Sequence, residues 1–285
     1  MAEITANDIV KLKHEGKPIV CLTAYDFPTA ATVEEAGVDL ILVGDTLGMV
    51  VQGHDTTLKV TVDDLVYHLS MVRRAIKHPL LVGDMPFMSF QESDEKTMAN
   101  VGRMVKDGGA EAIKLEGAQP ETLARIRKII GAGVPVMGHL GYTPQSVHYF
   151  GRRIVRGKTV TQAKVLLESA LALQEVGCFA IVLEMVPWQL AGLISRALHI
   201  PTIGIGSGAE CDGQILVLHD LVGFYRGYSP KFVRKLADVT GAMRAAVEEY
   251  GELVRERRYP SQEESVALAE DVWEEVSRLE KPSGD

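Results

Sequence analysis

The chain has 285 residues, 46% of them hydrophobic and 24% charged, with a formal net charge of −8. That is enough apolar material for one large core, and the length suits a single barrel domain with terminal helices better than two small domains. The acidic balance, with no basic stripe on any predicted helix, argues against a nucleic-acid partner, and apolar runs of about six residues, against the roughly 20 of a membrane span, argue against a membrane one.

In chain order, strand and helix signals alternate. The N-terminus MAEITANDIVKLK lacks the apolar core of a signal peptide, so a cytoplasmic location is expected. Thr5 with Asp8 reads as the cap of a short helix through Leu12. Short apolar runs bounded by Gly or Pro then read as strands buried on both faces: 19–24, 40–44, 80–84, 112–116, 134–140, 180–184, 202–206 and 215–218. Between most of them lie helical patterns, over 61–77 with Thr61 and Asp64 as a capping box, and over 95–106, 121–130, 161–176 and 187–197. Eight strands with intervening helices predict an α/β fold, a (β/α)8 TIM barrel. Only about eight residues separate Gly206 from Ile215, too few for a full crossover helix, so the seventh helix is expected to be one turn or absent. Residues 230–257 carry apolar side chains at helical spacing, and Ser261 with Glu264 caps a second amphipathic pattern through Val276. The expected organisation is one barrel domain over 1–285, with extra N- and C-terminal helices and 230–285 as a helical extension. Cys21, Cys178 and Cys211 show no CxxC or finger spacing and read as reduced packing thiols.

Five strands end on ionisable side chains: Asp45, Asp84, Lys114 with Glu116, His139 and Glu184. In a barrel these ends converge on one mouth. Asp45, Asp84 and Glu116, three oxygen donors without cysteine, suit a hard cation such as Mg²⁺; the alternative is that they cap the following helices. Lys114 and Glu116 are two apart, so they share a face, inward if Ile113 and Leu115 face the helices. Lys114 then serves as a structural ion-pair partner, a clamp on a substrate carboxylate or a Schiff-base amine, and the neighbouring acids favour the clamp by keeping it charged. Glu184, between apolar neighbours and opposite the metal acids, is placed for proton abstraction or merely caps the helix after Pro187. His139 could bind metal, bond a substrate ketone or satisfy a buried backbone group. The loop 141–158 holds Tyr142, His148, Tyr149, Phe150, Arg152, Arg153, Arg156 and Lys158, a basic and aromatic mix suited to a folate or to an ordinary lid. Residues 49–59 are expected to border the site, with His54 and Asp55 structural or catalytic. The Gly-rich IGIGSGAE would ordinarily suggest phosphate.

The strings VGDTLGMVVQGHDTTLKVTVDDLVYH, GDMPFMSF, KLEG, GHLGYTPQS and IGIGSGAECDGQILVLHD, in order from about Thr23 to Gly223, resemble those of the ketopantoate hydroxymethyltransferase (3-methyl-2-oxobutanoate hydroxymethyltransferase) family. The resemblance implies a Mg²⁺-dependent barrel enzyme of pantothenate biosynthesis. Such an enzyme transfers a one-carbon unit from 5,10-methylenetetrahydrofolate, its co-substrate, to 3-methyl-2-oxobutanoate, giving 2-dehydropantoate by attack of a metal-stabilised enolate. It further implies Asp45, Asp84 and Glu116 at the metal, the last through water, and Asp45, Thr46, Asp84, Lys114 and His139 at the keto acid, with Glu184 as proton acceptor. Thr46 stands where the family pattern commonly has Ser, which bears on pocket size. A homodecamer is implied as well. Two other readings compete: a related lyase of the isocitrate lyase and phosphoenolpyruvate mutase group, whose KKCGH-type cysteine motif this chain lacks, and a non-catalytic keto-acid- or metal-binding barrel.

Overall fold

Alternation along each strand sorts its side chains into two cores. The structure, a computed structural model, describes residues 2–151, 154–225, 227 and 230–280. Eight parallel strands close in sequence order into a barrel: β1 (Ile19–Thr23), β2 (Leu40–Val43), β3 (Leu80–Asp84), β4 (Ala112–Glu116), β5 (Val136–Gly141), β6 (Ala180–Glu184), β7 (Thr202–Ile205) and β8 (Gly213–Leu216). Leu40, Leu42, Leu80, Val82, Ala112, Met137, Ala180, Val182 and Ile203 fill its interior, whereas Ile41, Val43, Leu81, Ile113, Leu115, Val136 and Ile181 pack outward against the helices. This two-sided burial is why the strands read as continuous apolar runs.

Helix α1 (Ala6–His14), capped by Thr5 and Asp8 as expected, contributes Ala6 and Ile9 to the interior core. Lys13 adds bonds to the carbonyls of Ser195 (2.7 Å) and Ile200 (3.1 Å) and an ion pair with Asp212 (3.0 Å). The outer layer comprises α2 (Phe27–Glu35), the short α3 (Leu47–Val50), α4 (Val62–Ala75), α5 (Asp94–Lys106), α6 (Pro120–Gly131), the short α7 (Val147–Phe150), α8 (Val160–Glu175) and α9 (Trp188–Ala197). The Thr61–Asp64 capping box forms at α4. No helix stands between β7 and β8 among the described residues, and the short α10 (Leu218–Leu221) follows β8. Strand β8 begins and ends two residues earlier than its apolar run suggests, because Leu218 already opens α10 with its N–H on the Thr23 hydroxyl (3.1 Å).

The chain divides into two compact units, Met1–Leu236 and Ala237–Asp285. In the first, residues 230–236 do not join the expected helix: Leu236 N–H is spent on the Leu221 carbonyl (2.8 Å). In the second, α11 (Val239–Arg255) starts instead at Asp238, whose carboxylate caps Gly241 N–H (3.0 Å). The Ser261–Glu264 bond forms (2.8 Å) without starting a helix, and α12 covers only Glu270–Ser277. No helix among the described residues is long and apolar enough to cross a membrane. All three cysteines are buried and unbridged, and burial pushes the Cys178 thiol up to about 12.

Candidate active site

Strand periodicity builds the site. Because Ala112 lies in the interior core while Ile113 and Leu115 pack outward, Lys114 and Glu116 face the barrel axis. Parallel pairing then sets Asp84 beside Lys114, Glu116 beside His139 and Gly141 beside Glu184. Asp45 joins them from the turn between β2 and α3, its N–H 3.4 Å from Asp84 Oδ2. The five charged strand ends thus meet at the C-terminal mouth.

The contacts divide the group in two. Lys114 Nζ lies 2.7 Å from Asp84 Oδ1, both side chains at most 5% exposed, and 3.5 Å from His139 Nδ1. His139 stands between two carboxylates, with Nδ1 3.4 Å from Glu116 Oε1 and Nε2 3.4 Å from Glu184 Oε2. Burial and the Lys114 charge disfavour its imidazolium, but the neighbouring carboxylates of Glu116 and Glu184 outweigh them and raise His139 to about 9. Lys114 is raised despite burial by Asp84, Glu116 and Asp45, so the amine is held charged, a state suited to a clamp and unsuited to a Schiff base. Asp45 is raised well above the usual carboxylate range by burial and by the charges of Asp84 and Glu116, against the opposing pull of Lys114 and Gln145.

That imbalance leaves buried negative charge in excess at the mouth. Asp45, Asp84 and Glu116 are buried together against one ammonium and one imidazole. Among the described residues, no group of three or more His, Cys, Asp or Glu side chains converges closely enough to hold a metal ion. Mg²⁺ asks for less, since it binds through one or two protein carboxylates and keeps several waters. A cavity of ≈ 50 Å³ is lined by Asp45, Asp84, Lys114, Glu116, His139 and Glu184, together with Thr23 and Thr46, and leaves room for such water. The residues therefore fit the group.

Beyond Thr46 and Glu184 this cavity meets an open groove of ≈ 1710 Å³. Its walls include Met49, Asp55 and Thr57 from the first loop, Tyr142 and His148 from the second, and Trp188. His54 is not part of the lining. Arg156 is occupied over the Phe150 ring at 4.0 Å, and Tyr149 is 86% exposed. Arg152 and Arg153 lie outside the described residues.

Besides the His139 contact of its carboxylate, Glu184 is held through its backbone. Its carbonyl accepts from Tyr142 N–H (2.8 Å), and Gly141, at φ +98°, passes so close that a Cβ there would lie 2.1 Å from that carbonyl oxygen. Met185 follows in the left-handed region at φ +50°, with its N–H on the Ile205 carbonyl (2.9 Å). The Ser207 hydroxyl donates to the Leu183 carbonyl (2.7 Å) and accepts from Val186 N–H (3.0 Å), clasping both sides of Glu184. This gives IGIGSGAE a use other than phosphate binding: Gly208, at φ +88°, allows the turn to pass Trp188, whose Cβ would be 2.4 Å from an added methyl. Ser207 and Gln145 are site residues that the sequence pattern did not single out. A serine and a glutamine in glycine- or proline-containing turns carry no periodic signal, and only their place inside quoted motifs marks them.

A closed parallel barrel with an acid, lysine and histidine constellation at its C-terminal mouth has the arrangement of a barrel enzyme acting on a small molecule. The ketopantoate hydroxymethyltransferase family profile matches residues 3–262. A 3-methyl-2-oxobutanoate hydroxymethyltransferase of Acetivibrio thermocellus is 45% identical over 97% of this chain and 98% of its own, and one of Geobacter sulfurreducens is 50% identical over 90% and 96%. The chain belongs to the ketopantoate hydroxymethyltransferase family, a transferase family whose hydroxymethyl transfer serves pantothenate synthesis. Among solved structures, phosphonopyruvate hydrolase (12% identity, TM-score 0.61, 97% of each chain) and 2,3-dimethylmalate lyase (14%, 0.58, 96% of this chain and 94% of that one) share the fold. The competing lyase reading thus keeps the architecture and loses the sequence.

Proposed function

We propose that the one-carbon donor is 5,10-methylenetetrahydrofolate, the acceptor 3-methyl-2-oxobutanoate and the product 2-dehydropantoate, formed through an enolate. The observation that carries this reading is the separation of Glu184 from the Asp84–Lys114 pair, with His139 between them and a wide groove on the Glu184 side. Lys114 receives the keto-acid carboxylate, with Asp45, Thr46 and Asp84 around it and His139 in reach of the ketone. Asp45 and Asp84 would hold Mg²⁺, with Glu116 reaching it through water. Bound Mg²⁺ supplies Lewis acidity that makes the C–H beside the ketone easier to ionise.

Glu184 takes the C3 proton, and the C–H electron pair becomes the C2–C3 double bond of the enolate, whose charge Lys114 offsets. That pair then forms the new C–C bond to the methylene carbon of the iminium form of the folate. Water then adds its oxygen to that carbon as the C–N bond to the folate breaks, the nitrogen keeping the bonding pair and taking a proton from the water, and tetrahydrofolate leaves. The groove is the proposed place of the donor, a reading supported by Tyr142 and His148 in its wall, an aromatic and an imidazole suited to a folate. A homodecamer in the cytoplasm belongs to the same reading. The test is 2-dehydropantoate formation from the two substrates. Product is expected only with divalent metal and folate donor present together, and its absence under metal-replete conditions sinks the proposal.

A further inference from the structure

Gln145 has no place among the groups named so far for binding or chemistry, and it lines neither the cavity nor the groove. Its side chain nevertheless makes three hydrogen bonds at the mouth. It is 5% exposed, in the 3₁₀ turn Pro144–Ser146 that follows β5. Its side-chain Nε2 donates to Asp45 Oδ2 at 3.0 Å and to the Met85 carbonyl at 2.8 Å. Its backbone N–H donates to Glu116 Oε2 at 3.2 Å. Its Oε1 accepts from Gln91 Nε2 at 3.4 Å, and Gln91 Oε1 in turn faces Phe90 N–H at 3.3 Å.

The orientation of this amide is determined by its neighbours. Carboxylate and carbonyl oxygens only accept, so the NH₂ must face Asp45 and Met85, while the carbonyl faces the donor on Gln91. Both amide hydrogens are thereby spent, and a reversed amide would set three acceptors against one another. The backbone of the same residue meanwhile holds the second acid. This single residue, in the turn after β5, therefore ties the acids after β2 and on β4 to the chain just beyond β3. Mutual repulsion among buried carboxylates would otherwise spread them.

We propose that Gln145 is a positioning residue that sets the distance between Asp45 and Glu116 for cation binding, with Gln91 orienting its amide. This rests on the reading of Asp45 as a metal carboxylate. Groups that orient metal ligands typically change metal affinity by about 10–100-fold when removed, and Gln145→Met keeps the length while deleting both side-chain donations.

The experiment titrates Mn²⁺ into the substrate-free protein and follows free Mn²⁺ by electron paramagnetic resonance, for wild type, Asp45→Asn, Gln145→Met and Gln91→Met. Thermal melting of each variant is recorded beside it. Asp45→Asn is expected to abolish binding. Gln145→Met is expected to weaken Mn²⁺ by about 10–100-fold, and Gln91→Met by about tenfold. A residue that merely supports the fold would lower the melting temperature and leave the Mn²⁺ affinity of the folded protein alone. Wild-type affinity in Gln145→Met, with Asp45→Asn unable to bind, overturns the positioning role. Should Gln145→Met not fold, wild-type affinity in Gln91→Met overturns it instead. Wild-type binding by Asp45→Asn overturns the metal reading itself.

Discussion

The two sides of the barrel mouth are held by different forces. On the β2–β4 side, Asp45, Asp84, Lys114 and Glu116 are each at most 6% exposed and are set by ion pairing and by Gln145. On the β6 side, Glu184 has a side chain 17% exposed and is set by backbone bonds, a left-handed Met185 and the Ser207 clasp. The first side is closed and carries more negative than positive side chains, which suits the proposed binding of a cation there. The second opens on the groove, as a base that must meet a substrate and then a large donor should. Charge specifies one half and chain geometry the other, so the same kind of substitution should act differently on the two.

Lys114→Met tests the charged half with the largest expected effect. Removing the ammonium leaves buried carboxylates uncompensated, which should cost about 3–5 kcal/mol in urea unfolding, partly recovered by Mg²⁺. An unchanged midpoint without metal would mean that Lys114 is not the counter-charge. His139 connects the halves. Its folded value of about 9 exceeds the ordinary 6.5, so its contribution is fully present below 6.5 and is lost as pH rises through about 9. In metal-free protein the melting temperature should therefore fall over that window by the equivalent of about 1–3 kcal/mol, and His139→Gln should flatten the fall. Ser207→Ala is the mildest test and addresses the geometric half. It should cost about 1 kcal/mol of stability and lower the turnover number, leaving Mn²⁺ affinity at the wild-type value. A loss of metal affinity there would erase the division between the halves.

Much of this was legible in the sequence because strand alternation is a local property. Ile113 and Leu115 point outward, so Lys114 and Glu116 must point in, and the barrel brings the ends together. The short β7–β8 link was equally readable from its length. What stayed hidden depends on distant partners. Gln145 meets Asp45 across 100 positions, and Ser207 meets Leu183 across 24, so neither neutral side chain announces itself locally. Helix α2 gave little signal because it buries only Ala30 and Val33. The start of α11 was misplaced because apolar spacing at Val233 and Leu236 cannot reveal that Leu236 N–H is taken by Leu221.

The central claim is that Glu184 removes the proton while β2–β4 hold the keto acid. Solvent deuterium exchange at C3 of 3-methyl-2-oxobutanoate, followed by proton NMR on Glu184→Gln without folate, addresses it directly. The account predicts retained metal and keto-acid binding with exchange slowed by about 10²–10⁴-fold. Exchange at the wild-type rate would contradict it and move the base elsewhere in the mouth.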